Sequence, residues 1–366
     1  MATQFPDDFK CPISLEIMTD PVILSSGHTF DRPSIQRWLD SGHRTCPISK
    51  LPLSDPPSLI PNHALRSLIS NYAAVSLPKP QSNTNPETLI ATLTSRSSSV
   101  ESKIGSLAQL GRVSKRDSGL RWRLMESGAV SAVLSCAASS DTCLREKALC
   151  LLLNLSLDDE NKVGLVAEGA IGNIVAGLSS GSPDSRAMAA TMLTSLAVVE
   201  VNKATIGSYP CAIRALVSLL EDGTPREKKE AATALYALCS FNDNRRRAVE
   251  CGAVPILIGM AELGIERAVE VLGLLAKCKG GREEMVKFCD CVRILVNLLR
   301  NGSSRCVQYA LLTLYSLCCY SEQVCFEALR EGVYEHCSGL LGDDNEKIRR
   351  NASSLIQALR GKRSIR

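Results

Sequence analysis

The sequence is poor in aromatic residues, in histidine and in net charge. Aromatic side chains make up 4% of the 366 residues and apolar residues 45%, so the core must be built mainly from Leu, Ala, Val and Ile. Such a core suits close-packed helices better than a β-sandwich. A net charge of +4 is too small to indicate nucleic-acid binding. Because His336 is the only histidine after residue 63, proton-transfer chemistry is not expected in most of the chain.

Long apolar runs and familiar catalytic motifs are missing as well. The longest apolar run, residues 149–157, is too short to span a membrane. Phosphate-loop, Gly-x-Ser-x-Gly and His-Glu-x-x-His motifs are absent from the sequence. Residues 1–10 are polar, which predicts no signal peptide, and most of the 16 cysteines lie in apolar helical stretches. We therefore expect a reduced, cytoplasmic protein, and a basic C-terminus leaves nuclear entry open.

Composition and turn residues divide the chain into four regions. Residues 1–75 are rich in turn signals, and residues 76–86 contain the prolines and asparagines of a flexible linker. Residues 87–360 have a helical pattern throughout, and residues 361–366 form a basic tail.

The helical region repeats about every 41 residues. One phrase appears as GAVSAVLSCAA from residue 128, GAIGNIVAGL from residue 169 and GAVPILIGMAELG from residue 252, and a second phrase, such as LLLNLSLDDENK, keeps step with it. This period is typical of armadillo and HEAT arrays, in which about six stacked units would share one core. The pattern resembles armadillo repeats closely. One step of 38 residues predicts a shortened unit near residues 264–281.

The first region carries two copies of CPIS, at residues 11–14 and 46–49. One tetrahedral zinc site from Cys11, His28, His43 and Cys46 is conceivable, but paired Cys-x-x-Cys ligands are missing. We therefore expect no metal and no cofactor. The order of CPIS, DPV, GHTFDR, IQRW and CPIS resembles the U-box, a small α+β RING-like domain without zinc.

The resemblance implies that polar side chains hold the loops that zinc holds in RING domains. The candidates for this loop network are Ser14, Glu16, Ser25, Asp31, Arg32, Cys46 and Ser49. The resemblance also implies a ubiquitin-protein ligase, which binds a ubiquitin-charged conjugating enzyme and promotes transfer to a substrate lysine without a covalent ligase intermediate. The residues that would contact the conjugating enzyme are Ile13, Leu15, Trp38, Pro47 and Lys50. Two alternatives stay open: the apolar residues of this set belong to the domain's own core, and Lys50 is an ordinary solvated lysine.

Joined to a U-box, the array resembles the substrate-recruiting arm of plant U-box armadillo-repeat ligases. Asn154 fits the asparagine ladder by which importin-like arrays hold a peptide, but the equivalent residues of later units do not. Helical spacing from the ladder position gives the groove candidates Lys147, Met188, Thr191, Glu230, Thr233, Arg267, Glu270 and Tyr309.

The expected partners are a ubiquitin-conjugating enzyme, ubiquitin and a protein substrate, with a U-box homodimer as a further option. Neither nucleic acid nor a membrane span is expected. Two other functions stay open at this stage. One is a non-catalytic armadillo adaptor whose U-box is inactive or only dimerises, and the other is binding of nuclear-transport cargo.

Overall fold

The computed structural model describes residues 6–54, 57–62, 64–69 and 85–363. The chain divides into two compact units after residue 84. Most of the predicted linker, residues 76–84, lies outside the described residues. Pro86, its predicted last residue, instead begins a helix that Asn85 caps by accepting the Glu87 N–H.

A three-stranded antiparallel sheet and one well-formed helix organise the first unit. The elements are a 3₁₀ turn (Asp7–Phe9), β1 (Pro21–Ile23), β2 (Thr29–Asp31), α1 (Arg32–Asp40), β3 (Ile60–Pro61) and α2 (residues 64–69). The strand order is β2-β1-β3. Gly27, at φ +80°, makes the turn between β1 and β2, and Val22 of β1 pairs with Phe30 of β2.

Helix α1 packs onto the sheet through an apolar face. Asp31 is its N-cap residue and Pro33 lies in its first turn, a position that needs no backbone N–H. Ile35 and Leu39 are buried. The shared core comprises Cys11, Met18, Val22, Leu24, Phe30, Ile35, Cys46 and Ile69.

The second unit is helical throughout its described part. Its helices are α3 (Pro86–Thr94), α4 (Val100–Ser114), α5 (Ser118–Glu126), α6 (Ala129–Ala137), α7 (Thr142–Leu155), α8 (Asp159–Ala167), α9 (Ala170–Ser180), α10 (Pro183–Leu196), α11 (Glu200–Ser208), α12 (Ala212–Asp222), α13 (Pro225–Cys239), α14 (Asn242–Glu250), α15 (Ala253–Glu262), α16 (Glu266–Leu275), α17 (Lys279–Val286), α18 (Cys291–Asn301), α19 (Ser304–Tyr320), α20 (Glu322–Arg330), α21 (Val333–Gly339) and α22 (Glu346–Arg363).

From α5 onward the helices form six triplets that stack in register. The third helices α7, α10, α13, α16, α19 and α22 each contact the next, and the second helices form a parallel stack. Leu, Ala, Val and Ile from both stacks fill one continuous core, because each amphipathic helix can bury its apolar stripe only against its neighbours. Helix α22 continues to Arg363, three residues into the predicted basic tail.

In every triplet but the fifth, where Asp290 has φ −88°, a left-handed residue makes the turn from the first to the second helix. Gly128, Gly169, Gly252 and Gly332 hold this position with positive φ, where a side chain is normally disfavoured. In the third triplet Cys211 adopts φ +63° instead.

The predicted short unit is present. Helix α16 has 10 residues, against 15 in α13 and 17 in α19. Gly264 turns the chain directly into it at φ +76°.

An internal ladder of asparagines, distinct from the importin-like ladder considered above, joins successive triplets. It was not predicted from the sequence. Asn202 Nδ2 donates to the Leu196 carbonyl and to the Lys162 carbonyl of the preceding triplet. Asn244 repeats this with Leu238 and Lys203. These residues are the Asn of the repeated second phrase, so its conserved spacing within the chain has a packing cause.

Within the described residues, no single helix has the length and apolar composition needed to cross a bilayer. The adjoining helices α8 and α9 reach that length and composition only when taken together, and an 85° bend separates them.

Candidate functional site

The two CPIS segments form two separate loops that share one backbone conformation. In the first, Leu15 N–H donates to the Cys11 carbonyl at 2.7 Å, and in the second Lys50 N–H donates to the Cys46 carbonyl at 2.9 Å. Leu15 and Lys50 both adopt φ +60°, a backbone conformation that residues other than glycine rarely adopt. Both cysteines are fully buried. The paired loops therefore direct their cysteines inward by one shared backbone geometry.

Asp31 holds the first loop through backbone groups. Its Oδ1 accepts the N–H of Thr19 at 2.9 Å and of Asp20 at 2.7 Å, and its own N–H donates to Cys11 Sγ at 3.3 Å. Burial tends to raise the pKa of the Cys11 thiol, but N–H donors including Asp31 and Ser14 outweigh it and lower the pKa. Such hydrogen bonds lower the pKa because they favour the charged form of the sulfur.

Two predicted members of the network act differently from expectation. Glu16 has an exposed side chain and contributes its backbone: its carbonyl accepts the Cys11 N–H at 2.7 Å, and its N–H faces Ser14 Oγ at 3.5 Å. Ser25 is exposed, so its assignment was wrong. The neighbouring Ser26 has the buried hydroxyl, because adjacent residues in this turn point in different directions.

The second loop centres on Cys46. The hydroxyls of Ser26 and Ser49 are buried, and neither has a conventional hydrogen-bond partner. Both lie against the sulfur of Cys46, which is a weak hydrogen-bond acceptor. Burial raises the Cys46 pKa, yet these hydroxyls and nearby backbone N–H groups bring the pKa down to about 7. His28 Nδ1 lies 3.8 Å from the same sulfur.

An ion-pair cluster ties α1 to α2. Arg32 Nε binds Asp20 Oδ2 at 2.6 Å, and Arg66 of α2 binds the other carboxylate oxygen. Arg32 first, and then Arg66, lowers the pKa of Asp20. Arg32 was predicted in the network, whereas Asp20 and Arg66 were not assigned because their pairing is 46 residues apart.

Trp38 is partly buried, with its ring also facing the second loop. Its Nε1 donates to the Thr45 carbonyl at 2.9 Å, and the His43 ring stacks on it at a centroid distance of 3.9 Å. Lys50 Nζ lies 5.9 Å from the ring centroid and donates to the Pro47 carbonyl at 2.9 Å. Trp38 thus both packs on the core and positions the second loop.

Apolar side chains project from both loops. Ile13 is 36% exposed and Leu15 73% exposed in the first loop, and Ile48 and Leu51 are 46% and 56% exposed in the second. Pro47 is half-buried. Sequence reasoning missed Ile48 and Leu51, although Ile48 occupies the position in the second CPIS that Ile13 occupies in the first. We call Ile13, Leu15, Ile48 and Leu51 the loop patch.

The four candidate zinc ligands are engaged in different contacts. Cys46 and His28 approach each other, but His43 stacks on Trp38 and Cys11 accepts from Asp31. Among the described residues, no group of three or more metal-ligating side chains is arranged to hold an ion.

In the array, four of the nine groove candidates are bonded to one another, in two pairs. Thr191 donates to Glu230 of the next third helix at 3.1 Å, and Arg267 pairs with Glu270. Thr233 donates to its own helix at Lys229, and Tyr309 is hydrogen-bonded to a tyrosine of α13. Lys147 is exposed and Met188 half-buried.

Two groove assignments require correction. Asn154 is 9% exposed and its Nδ2 donates to the Gly111 carbonyl of α4 at 2.7 Å, because the third helices stack close enough to share backbone groups. Glu270 is 3% exposed beneath its arginine partner. Neither side chain is free to hold a peptide as predicted.

Comparisons with known proteins agree with both units. The model described as "U-box domain" matches residues 5–76, and the one described as "Plant U-box protein ARM repeat region" matches residues 90–364. U-box domain-containing protein 8 of Arabidopsis thaliana is 62% identical over 99% of each chain. The E3 ubiquitin-protein ligase PUB23 of the same plant is 29% identical over 90% of this chain and 86% of its own.

One solved structure resembles the array. The crystal structure of an engineered protein aligns at TM-score 0.66 and 20% identity, over 75% of this chain and 68% of that one. With the family matches, it confirms the predicted fold class: a small α+β U-box domain followed by an all-α armadillo-repeat superhelix.

Proposed function

The chain belongs to the family of plant U-box proteins with an armadillo-repeat region, and we propose that it acts as a ubiquitin-protein ligase. The U-box and the relative named as an E3 ligase support ubiquitin-ligase activity in general. In the proposed division of labour, the U-box binds the ubiquitin-charged conjugating enzyme and the array recruits the protein substrate.

The loop patch is the observation that carries this proposal. Four apolar side chains are exposed on two short loops whose polar groups are already bonded behind them. Exposed apolar clusters on rigid loops are typical of protein-binding surfaces. Ile13 and Leu15 would contact the conjugating enzyme from one side, and Pro47 with the exposed part of Trp38 from the other.

Positioning accounts for the proposed chemistry. The ε-amine of a substrate lysine attacks the thioester carbonyl of ubiquitin; a C–N bond forms, the C–S bond breaks, and the conjugating-enzyme thiol leaves with a proton. The ligase accelerates this by holding the reactants in a reactive geometry. A covalent ligase intermediate is not needed, and the fully buried Cys11 and Cys46 are poorly placed to form one.

Lys50 would place a positive charge at the edge of this surface. Its contacts with the Pro47 carbonyl and the Trp38 ring hold it beside the residues proposed to touch the conjugating enzyme. There it could contact ubiquitin and the conjugating enzyme together. Lysine lacks the planar fork of arginine, so a Lys50→Arg variant should transfer ubiquitin faster.

Self-ubiquitination in a reconstituted mixture tests the proposal. The full chain is incubated with activating enzyme, ubiquitin, ATP and a broad panel of conjugating enzymes. Ile13→Ala should abolish chain formation, whereas Leu68→Ala, which alters another exposed apolar side chain, on α2, should retain it. A chain pre-treated with a zinc chelator and returned to magnesium buffer should stay active.

Two results would contradict the proposal. Absence of ubiquitin chains with every conjugating enzyme would favour a non-catalytic adaptor. Unfolding after zinc chelation would instead overturn the metal-free account of the loops.

A further inference from the structure

Helix α19 exposes a face that is uncharged beyond its first turn. After Arg305 the next charged residue in the sequence is Glu322. The buried side chains of α19 pack against neighbouring helices, including α18, while a stripe at helical spacing stays partly or fully exposed. We call this stripe the α19 face; it consists of Arg305, Tyr309, Leu312, Tyr315, Ser316 and Cys319.

The shortened helix α16 shapes one side of this face. Its residues 268–275 are all buried, and Gly273 lies directly under the Tyr309 ring, since a Cβ at Gly273 would be 2.7 Å from Tyr309 Cδ1. Tyr309 can therefore reach across α16 to Tyr236 of α13, with 2.8 Å between the hydroxyl oxygens. The rings meet edge to face at 6.3 Å, a favoured aromatic geometry. This tyrosine pair fixes the start of the α19 face.

Two arginines at that end share one carboxylate. Arg267 pairs with Glu270 and lies over the Tyr236 ring at 4.8 Å. Arg305 Nε is 3.4 Å from the other oxygen of Glu270. Glu270 is 3% exposed while Arg305 is 57% exposed, and burial raises the pKa of Glu270. One carboxylate compensates at most one of the two cations.

The nearby Glu266 faces another direction. Its carboxylate accepts from Ser303 Oγ and lines a separate cleft with Asn297 and Cys306. Arg305 therefore presents a positive charge to the α19 face, and its donors are available to an incoming anion.

We propose that the α19 face binds a substrate segment in which an acidic side chain adjoins apolar ones. The acidic group would pair with Arg305 next to the tyrosine hydroxyls, and the apolar groups would cover Leu312 and Tyr315. A single exposed arginine is too little for a polyanion, and the buried Glu270 offers no free carboxylate to a basic peptide. Charged hydrogen bonds would set the register and apolar burial would add affinity. This inference rests on the proposed role of the array in selecting the substrate.

Fluorescence anisotropy with the full chain tests it. The probe is the labelled peptide Ser-Gly-Glu-Asp-Leu-Phe-Leu-Gly-Ser, compared with the same peptide carrying Lys-Lys in place of Glu-Asp. The acidic peptide should bind at least about tenfold more tightly. Arg305→Gln and Tyr315→Ala should each weaken its binding about tenfold.

Arg226→Gln is the matched control, because Arg226 is an exposed arginine in the first turn of α13 that pairs with Asp184 of the preceding third helix. It should leave peptide binding unchanged. Equal binding of the two peptides, no binding of the acidic one, or an equal loss in Arg226→Gln overturns the inference. Self-ubiquitination of the same preparations separates the two proposals, since Arg305→Gln should keep that activity and an inactive wild-type chain would contradict only the ligase assignment.

Discussion

The U-box loops and the third helices of the array were both predicted as binding surfaces, and they differ in where their polar groups are used. In the loops, Asp31, Cys11 and Cys46 are bonded behind the surface, which leaves apolar tips outward. On the third helices, side chains such as Thr191 and Glu230 bind each other across the surface itself. A loop held from behind can offer its tips to a partner, whereas a stack of helices consumes much of its polar face in stacking.

The largest effect should come from a buried ion pair between third helices. Glu227 is 0% exposed, pairs with Arg186 of α10 at 2.6 Å and forms the capping box of α13 with Thr224. Glu227→Ala leaves these donors unpaired, so the free energy of unfolding should fall by about 3–5 kcal/mol. Denaturant unfolding followed by circular dichroism measures it. Asp184→Ala, which breaks the exposed pair with Arg226, should cost less than about 1 kcal/mol; equal losses would refute the argument.

The internal asparagine ladder that joins successive triplets should give the next largest effect. Asn244→Ala removes donors to Lys203 and Leu238, which should cost about 2–3 kcal/mol. Gly207→Ala should also destabilise, because its Cβ would lie 1.8 Å from Asn244 Oδ1. The double variant should lose less than the sum of the single losses. As a control, Gly259→Ala, at an open and exposed helical position, should stabilise by about 0.5–1 kcal/mol, and strict additivity of the ladder variants would contradict the clash.

Asp31→Ala should weaken the first unit alone. The change removes an acceptor for two backbone N–H groups and should cost about 1–2 kcal/mol. The chain has two tryptophans, Trp38 in the first unit and Trp122 in the array, so in a Trp122→Phe background fluorescence reports the U-box. A matching shift of the array's circular-dichroism transition would show that the two units do not unfold independently.

The smallest effect is a pH dependence of the first unit. Arg32 and Arg66 hold the pKa of Asp20 below its ordinary value of 3.8. The stabilisation is therefore fully present above that value and is lost as the pH falls through the lower folded-state pKa. It should amount to less than about 1 kcal/mol, because both Asp20 and Arg32 are about one-third exposed. Tryptophan fluorescence in acid urea, again in the Trp122→Phe background, should show this loss when Asp20 is present and not in Asp20→Asn.

The sequence predicted local features better than distant pairings. The period of the array and the short unit around α16 follow from the repeat spacing, which can be measured along the chain. The choice of Ser25 over Ser26 failed because side-chain direction within a tight turn depends on the backbone, which the motif does not specify.

Pairings between elements were beyond sequence reasoning for a related cause. Asn154 was assigned to the groove by its resemblance to the peptide-binding asparagines of importin-like arrays, but the closeness of α4 turns it into a buried link between helices. Similarly, the contact of Tyr236 with Tyr309 spans 73 residues and depends on the space above Gly273. Periodicity gives the face of a helix but not the distance to its neighbour.

In the proposed mechanism the loop patch, and not the array, binds the conjugating enzyme. Discharge of ubiquitin from a charged conjugating enzyme to free lysine tests it most directly, because no protein substrate is involved. Leu15→Asn keeps a residue type that tolerates positive φ while removing the apolar tip, and Leu157→Asn makes the same change at an exposed position of the array. Leu15→Asn should lower the rate of ubiquitin discharge to the rate measured without ligase, whereas Leu157→Asn should discharge ubiquitin at the wild-type rate. Undiminished discharge by a folded Leu15→Asn chain would contradict it.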